Sequence, residues 1–223
     1  MSAPLNYRGL ILDFGAVITK LPFETLDVVE DSFGLKRGSL DWRGPIEPER
    51  DPLWRDVVAG IISERDYWPI RAREISEPRG ETWTAADLFV RIVEFNGEAW
   101  LRSEMLAIIQ EARARGARVA ILSNELELFI GKTWIEKFSV FKMVDALIDA
   151  TTTHIFKPDP RSYQLALDAL GVQAGEALFV DDQPRNVEGA RAAGLTALPF
   201  DIAHVDASLA SVREALGLPP SIR

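Results

Sequence analysis

Short apolar runs recur along the chain, separated by polar stretches. Four of these runs are apolar almost throughout, which is typical of strands covered on both faces of a sheet. A fifth run has a similar character and is a further strand candidate. The predicted strands cover residues 9–12, 118–122, 146–148, 177–180 and 195–198.

Between the later runs, apolar residues recur at the spacing of an amphipathic helix. Each of three such segments is followed by a glycine, a common helix terminator. These helices are predicted over residues 105–115, 161–170 and 186–193, ahead of Gly116, Gly171 and Gly194. Strands and helices that alternate in this way predict an α/β fold, with a parallel sheet and helices on both faces.

The segment from Pro22 to Asn96 breaks the alternation, because helical patterns follow one another there without a convincing strand. These patterns cover residues 24–33, 53–61, 64–75 and 85–95, and four of the six tryptophans lie in the segment as a whole. We therefore predict a small helical insertion after the first strand. The core is assigned to residues 1–18 and 97–223 and the insertion to residues 19–96, with linkers near 15–22 and 95–101.

Composition narrows the classes of function. The chain has 223 residues, of which 47% are hydrophobic, enough to bury a sizeable core. A formal net charge of −9 gives no general attraction to nucleic acid or to an anionic membrane. Because there is no cysteine, thiolate catalysis and cysteine-based zinc sites are excluded. The polar N-terminus and the absence of a long apolar run favour a cytoplasmic protein.

Polar residues with useful chemistry follow the predicted strands. Asp13 ends the first strand, Ser123 and Asn124 end the second, and Asp181 and Asp182 end the fourth. Ligands of open parallel sheets bind beyond the carboxyl ends of the strands, so these side chains are expected at one edge. Lys157, which follows the third strand, can reach the same edge.

Each of these residues alone is most often a turn, a helix cap or a solvated loop residue. Together they are more informative, because several carboxylates at one place repel one another unless a cation or a proton neutralises them. Oxygen ligands without cysteine or a nearby histidine pair favour Mg²⁺ over zinc. With a serine hydroxyl and a lysine, the set predicts a site for an anion bridged by Mg²⁺.

Four stretches resemble the motifs of the haloacid dehalogenase-like hydrolase superfamily, in that family's order and over nearly the whole chain. They are LDFGAVI at residues 12–18, ILSN at 121–124, KPDP at 157–160 and FVDDQPRNVEGA at 179–190. The resemblance implies a Rossmann-like core with an inserted helical cap. Residues 54–68 resemble caps of the subgroup that includes sugar-phosphate phosphatases and the phosphatase domain of soluble epoxide hydrolases.

The resemblance also implies roles for residues. Asp13 would be the nucleophile and form an aspartyl-phosphate. Mg²⁺ would be held by the Asp13 carboxylate, the Gly15 carbonyl and the Asp182 carboxylate. Ser123 and backbone N–H groups near Phe14, Gly15 and Asn124 would bind the phosphoryl oxygens. Lys157 would neutralise charge, with Asp181 in support. The implied substrate is a small phosphorylated metabolite.

One position departs from the family's phosphatases, which usually carry a second Asp where this chain has Gly15. That Asp protonates the leaving oxygen, and such help is typically worth about 10²–10⁴ in rate. Three explanations for the missing Asp stay open. The first is that the substrates have good leaving groups, and the second is that another residue, such as Glu125 or Glu24, takes its place. The third is that the chain binds ligands but turns them over poorly.

The dehalogenase branch of the family also lacks the second Asp, attacks carbon and needs no metal. It carries Ser and Asn where this chain has Asp181 and Asp182. Two acidic groups there favour a metal and oppose a halide or carboxylate, so we place phosphoryl chemistry ahead of dehalogenation. In the cap, Trp42, Arg43, Trp68 and Arg71 are candidates for contact with the leaving group, and the sequence favours none of them over the others. His154 and His204 are expected to have no role in the site.

Overall fold

The computed structural model describes residues 5–220 and has one five-stranded sheet. The strand order is β3-β2-β1-β4-β5, and all four pairings are parallel. The strands are β1 (Gly9–Leu12), β2 (Arg118–Ser123), β3 (Ala146–Asp149), β4 (Ala177–Asp181) and β5 (Thr196–Pro199). The predicted parallel sheet is confirmed, and β1, which carries Asp13 at its end, lies in the centre.

Helices cover both faces of the sheet, as predicted. Successive residues of a strand point to opposite faces, so Leu10 and Leu12 join one apolar cluster and Ile11 the other. The first cluster includes Met105 and Val212, and the second includes Tyr163. The core helices are α5 (Ser103–Ala114), α6 (Leu126–Lys137), α7 (Val140–Met143), α8 (Ala150–Thr153), α9 (Pro160–Leu170), α10 (Pro184–Ala192) and α11 (Val205–Leu216).

The segment between β1 and α5 is helical, as the pattern predicts. It contains α1 (Leu26–Ser32), α2 (Pro52–Val58), α3 (Glu64–Ser76) and α4 (Ala85–Asn96), and short 3-10 turns at Pro22–Glu24, Pro48–Arg50, Glu77–Arg79 and Gly97–Trp100. Its interior is aromatic: Phe23 lies 5.1 Å from Trp68, and Trp68 lies 4.9 Å from Phe89, between ring centroids. The rings of Phe89 and Phe129, on α4 and α6, are 5.0 Å apart. The domain boundaries assigned above stay a prediction.

The two connections between this segment and the sheet run side by side. Thr19 and Leu101 form an antiparallel bridge. The Lys20 N–H donates to the Trp100 carbonyl at 3.0 Å, and the Arg102 N–H donates to the Ile18 carbonyl at 2.7 Å. The chain therefore leaves β1 and returns to α5 through a shared, hydrogen-bonded junction.

The structure differs from the sequence-based prediction in a few elements. Strands β2, β3 and β4 each include one more polar residue at the carboxyl end, because Ser123, Asp149 and Asp181 continue the parallel pairing. Helices α6 and α11 were not predicted. Gly131 has a non-helical backbone inside α6, which breaks the helical spacing. For α11, apolar residues at the spacing of one helix face, from Val205 to Leu216, would have identified it. Among residues 5–220, no helix is both long and apolar enough to cross a membrane.

Candidate active site

The neighbouring ends of β1, β2 and β4 bring the predicted residues to one edge of the sheet. Leu12 is in register with Ile121 and with Val180, so Asp13, Ser123 and Asp181 emerge next to one another. The Asp13 N–H extends the ladder by donating to the Val180 carbonyl at 2.9 Å. Asp13 keeps 14% of its side chain exposed, whereas Asp181 is fully buried.

Lys157 joins the ends of β1 and β4. Its ammonium nitrogen lies 2.7 Å from Asp13 Oδ1 and 2.6 Å from Asp181 Oδ2, and only 1% of the side chain is exposed. Burial alone lowers the pKa of a lysine, but the two carboxylates outweigh it and the pKa of Lys157 lies above its usual value. The lysine is therefore a fixed positive charge at the nucleophile.

The pKa of Asp13 is raised, whereas a salt bridge ordinarily lowers the pKa of a carboxylic acid. Burial raises the pKa of Asp13 to about 6, and the nearby Asp181 charge adds to the rise. Lys157 and the Phe14 backbone N–H, which hydrogen-bonds to this carboxylate, only partly reverse the shift. A cation beside Asp13 would favour the ionised form that a nucleophile requires.

Asp181 is held from several sides. Besides Lys157, it accepts the Gln183 N–H at 2.9 Å on Oδ1, and Asn186 Nδ2 lies 3.0 and 3.2 Å from its two oxygens. Asn186 lies within the motif at residues 179–190, but the sequence alone does not indicate its role. In the structure, Asn186 orients the carboxylate that in turn orients Lys157. Its position five residues after Asp181, on α10, was the signal available in the sequence.

Asn124 supports the lysine from the other side. Its Oδ1 accepts the Lys157 N–H at 2.8 Å, and its Nδ2 donates to the Lys157 carbonyl at 3.2 Å. The side-chain amide of Asn124 thus holds both backbone polar groups of Lys157. Contacts of phosphate with Ser123 and with backbone N–H groups of Phe14, Gly15 and Asn124 stay predictions.

The acidic groups fit a divalent cation. Asp13, Asp181 and Asp182 each offer one carboxylate oxygen, and these three atoms lie within 4.8 Å of one another. Hard oxygen donors of this kind suit Mg²⁺. The assignment of Asp13 and Asp182 as the carboxylate ligands stays a prediction. A Cβ built on Gly15 would lie 3.8 Å from Asp13 Oδ2, so this residue is adjacent to the nucleophile.

The two glutamates considered as replacement acids both have partners. Glu24 is 2.9 Å from Arg102 Nη2 and accepts the Leu21 N–H at 2.7 Å, with 11% of its side chain exposed. Glu125 forms a salt bridge with Arg65 from α3. Glu24 is thus held in a buried structural pair, while Glu125 links the edge of the site to the helical insertion. Their predicted acid–base roles are not tested by this geometry.

The other singled-out residues lie in structural surroundings. Trp42, Trp68 and Arg71 are at most 7% exposed and pack inside the insertion. Arg43 binds Asp41 at 2.6 Å. His154 and His204 are exposed, and His204 Nδ1 lies 2.9 Å from Asp201.

Comparisons with known proteins agree with this architecture. A family model described as "Hydrolase: haloacid dehalogenase-like hydrolase" matches residues 13–194. The (S)-2-haloacid dehalogenase 1 of Pseudomonas sp. (strain CBS-3) is 30% identical over 83% of this chain and 78% of its own length. Phosphatase MT3486 of Mycobacterium tuberculosis (strain CDC 1551 / Oshkosh) is 38% identical over 42% of this chain and 43% of its own length.

Among solved structures, the magnesium-bound HAD-hydrolase YfnB from Bacillus subtilis, itself described as putative, superposes with a TM-score of 0.60. Its identity is 16%, over 87% of this chain and 86% of that one, so the likeness concerns the fold. The chain spans only 43%, 20% and 56% of the lengths of three curated relatives that it matches. Activities of those whole proteins therefore enter only as proposals.

Proposed function

Because the chain belongs to the haloacid dehalogenase-like hydrolases, we propose that it is a Mg²⁺-dependent phosphatase of a small phosphorylated metabolite, with Asp13 as the nucleophile. Within this proposal, residues 1–18 and 97–223 form the hydrolase core and residues 19–96 form a cap. The relatives include both phosphatases and 2-haloacid dehalogenases, so the choice between them depends on the residues of the site.

The observation that supports phosphatase chemistry is the charge at the edge of the sheet. Asp13, Asp181 and Asp182 each place one carboxylate oxygen within 4.8 Å of the others, and two of them, Asp13 and Asp181, contact the buried ammonium of Lys157. Carboxylates this close repel one another. Their repulsion opposes a carboxylate substrate or a released halide and favours a divalent cation with a phosphate bound to it.

The chain's own residues provide the steps of the reaction. A carboxylate oxygen of Asp13 attacks phosphorus, the bond from phosphorus to the leaving oxygen breaks, and an aspartyl-phosphate forms. Water then attacks phosphorus, which releases phosphate and restores the Asp13 carboxylate. Ser123 and the neighbouring N–H groups hold the phosphoryl oxygens, and Lys157 offsets their charge. Asp13, Asp182 and the Gly15 carbonyl would hold Mg²⁺, which would supply positive charge to stabilise the negative charge on those oxygens.

Gly15 narrows the substrate class. Because it provides no acid beside Asp13, the leaving oxygen departs as an anion or takes its proton from water. Substrates with good leaving groups, such as anomeric, aryl or acyl phosphates, therefore suit this site best. The φ angle of Gly15 does not lie in the positive region that favours glycine, so the backbone at this position can carry a side chain.

The first experiment measures hydrolysis of p-nitrophenyl phosphate with Mg²⁺ and with EDTA. We expect activity that chelation removes and that Asp13→Asn lowers by at least about 10³-fold. A parallel arm measures chloride release from 2-chloropropionate in the presence of EDTA. Release of chloride without phosphatase activity would replace the proposal by dehalogenation, which the coverage of the Pseudomonas enzyme favours. Magnesium binding without turnover on a panel of phosphate esters would identify a binding protein.

A second experiment tests the role of Gly15. Gly15→Asp places a carboxyl group next to the nucleophile, and we expect it to raise the rate for an alkyl phosphate by about tenfold or more. Gly15→Asn is the matched control, because it adds the same bulk without an acidic proton. Equal rates for the two variants would show that acid assistance at this position is not what limits turnover.

A further inference from the structure

The chain makes a strained turn directly after the nucleophile. The Val17 N–H donates to the Gly15 carbonyl at 2.5 Å, which closes a three-residue γ-turn around Ala16. Ala16 has a φ of +60°, a region that disfavours residues with a Cβ. Such a conformation persists only where the surrounding structure holds it. The turn also carries the Gly15 carbonyl, a proposed Mg²⁺ ligand.

A buried arginine contacts this turn from a distant part of the sequence. Arg102 Nη2 donates to the Ala16 carbonyl at 2.9 Å and lies 3.3 Å from the Thr19 carbonyl. The Arg102 side chain is 4% exposed. It has a fixed place, because its backbone N–H donates to Ile18 and its guanidinium lies 5.2 Å from the centre of the Phe200 ring.

Glu24 completes the arrangement. Its Oε1 lies 2.9 Å from Arg102 Nη2, and its Oε2 accepts the Leu21 N–H at 2.7 Å. One guanidinium therefore joins the turn after Asp13, the start of α5 and the first turn of the insertion. A charged hydrogen bond in a buried place is strong and directional, which is what a strained turn requires.

We infer that Arg102, held by Glu24, is a positioning residue that keeps the turn at residues 15–17 in place and so aligns the Gly15 carbonyl with Asp13. The inference rests on the proposed function for its catalytic consequence. The structural part of the inference can be tested without any activity. If Arg102 holds Ala16 and Thr19, its loss should reduce the protection of the backbone N–H groups near them from hydrogen exchange.

The test compares Arg102→Met with Arg213→Met. Arg213, on α11, is a matched control, since it is also a buried arginine of the core. It binds Glu111 at 2.7 Å and the Pro219 carbonyl at 2.6 Å. Both variants are expected to lose stability. Hydrogen exchange of the segment from Phe14 to Thr19 is measured for each variant at the same number of degrees below its own melting temperature. We expect faster exchange there in Arg102→Met than in Arg213→Met.

The second readout is kinetic. With p-nitrophenyl phosphate and Mg²⁺, Arg102→Met should weaken Mg²⁺ binding and lower kcat by about 10–100-fold. The KM for the ester should change less. Arg102→Lys keeps one charge but cannot reach Ala16 and Glu24 together, so partial recovery is expected. Arg213→Met should leave kcat near the wild-type value.

The outcomes separate the two proposals. Unchanged exchange at residues 14–19 in a folded Arg102→Met variant would overturn the positioning role, whatever the activity. Faster exchange in that variant, together with a wild-type protein that hydrolyses no phosphate ester, would keep the role and reject the phosphatase. Equal losses of kcat in the Arg102 and Arg213 variants would reduce Arg102 to a general contribution to stability.

Discussion

Two buried charge centres of this molecule have similar parts, but the pKa values of their buried carboxylates are shifted in opposite directions. In the insertion, the fully buried Asp51 faces Arg71 at 2.6 Å, and Arg71 also binds Glu74 at 2.8 Å. At the end of the sheet, Asp13 and Asp181 face Lys157 at 2.7 and 2.6 Å. Each cation therefore contacts two carboxylates, but in the insertion the second one is 41% exposed, whereas the two at the sheet are only 14% and 0% exposed.

The Asp51 centre is saturated with donors. Oδ1 accepts the Trp54 N–H at 3.0 Å as well as Arg71, and Oδ2 accepts the Tyr67 hydroxyl at 2.8 Å. The N–H groups of Arg43 and Gly44 donate to the same Oδ2, at 3.1 and 2.9 Å. Although burial acts to raise it, the pKa of Asp51 is held below its usual value by these donors.

The Asp13 centre is short of donors by comparison, and the pKa of Asp13 is raised to about 6. This difference in pKa distinguishes a structural carboxylate, Asp51, from a candidate catalytic one, Asp13. A carboxylate that is fully satisfied stabilises the fold, whereas one with unbalanced charge costs stability until a cation or substrate joins it. Replacing Asp by Asn at the two centres should therefore change stability in opposite directions.

The largest effect is expected for Asp51→Asn. The amide is nearly the same size, but it removes the buried one of the two carboxylate charges that Arg71 contacts and turns an amide group toward N–H donors. Breaking one partner of a buried pair costs about 3–5 kcal/mol. For a chain of this size that lowers the melting temperature by roughly 10 °C.

Thermal unfolding followed by circular dichroism measures this change. Asp159→Asn is a suitable control, because asparagine keeps a side-chain oxygen that can cap α9 and loses only the ion pair with the exposed Arg161. An Asp51→Asn variant as stable as this control would contradict the view that the insertion depends on a saturated buried carboxylate.

The second prediction is a gain in stability for Asp13→Asn without metal. The folded-state pKa of about 6 lies above the ordinary value of 3.8. The stabilising contribution of Asp13 is thus complete below about pH 4 and is lost as the pH rises through 6, where the buried carboxylate ionises. Asn imitates the neutral form, so the variant should be more stable by about 2–3 kcal/mol at pH 7.5 in EDTA.

The pH profile checks the cause. The advantage of Asp13→Asn over the wild type should shrink on acidification and be absent near pH 4. Saturating Mg²⁺ should stabilise the wild type and not the variant, which reduces or reverses the difference. A constant advantage at every pH would mean that packing, and not ionisation, explains the gain.

The sequence predicted much of this site because parallel strands impose it. Asp13, Ser123 and Asp181 end adjacent strands, so a correct strand assignment was enough to bring them together. The 157–160 stretch follows the next strand and returns Lys157 to the same edge. Helices with regular apolar spacing, such as α9, were also predicted to within a residue.

What could not be predicted depends on side chains that meet across long stretches of sequence. Arg102 and Glu24 are 78 residues apart, and nothing local in the sequence indicates that they form a pair. The positive φ of Ala16 is likewise invisible, since alanine does not suggest it. Asp51 followed by Pro52 indicates a helix start, but not that four further donors reach its carboxylate, from Arg43, Gly44, Tyr67 and Arg71.

The smallest predicted effect is that of Tyr67→Phe. The change removes only the hydroxyl that donates to Asp51 Oδ2, while the ring keeps its contacts with Phe23 and Trp54. Four donors to Asp51 would remain, so we expect a loss of about 1.5 kcal/mol, the low end of the range for one hydrogen bond to a charged group. Denaturant unfolding should show a lower midpoint with an unchanged slope, and kcat should stay at the wild-type value. A loss as large as that of Asp51→Asn would mean that the donors act as one cooperative unit, and the centre could then not be divided into separate contacts.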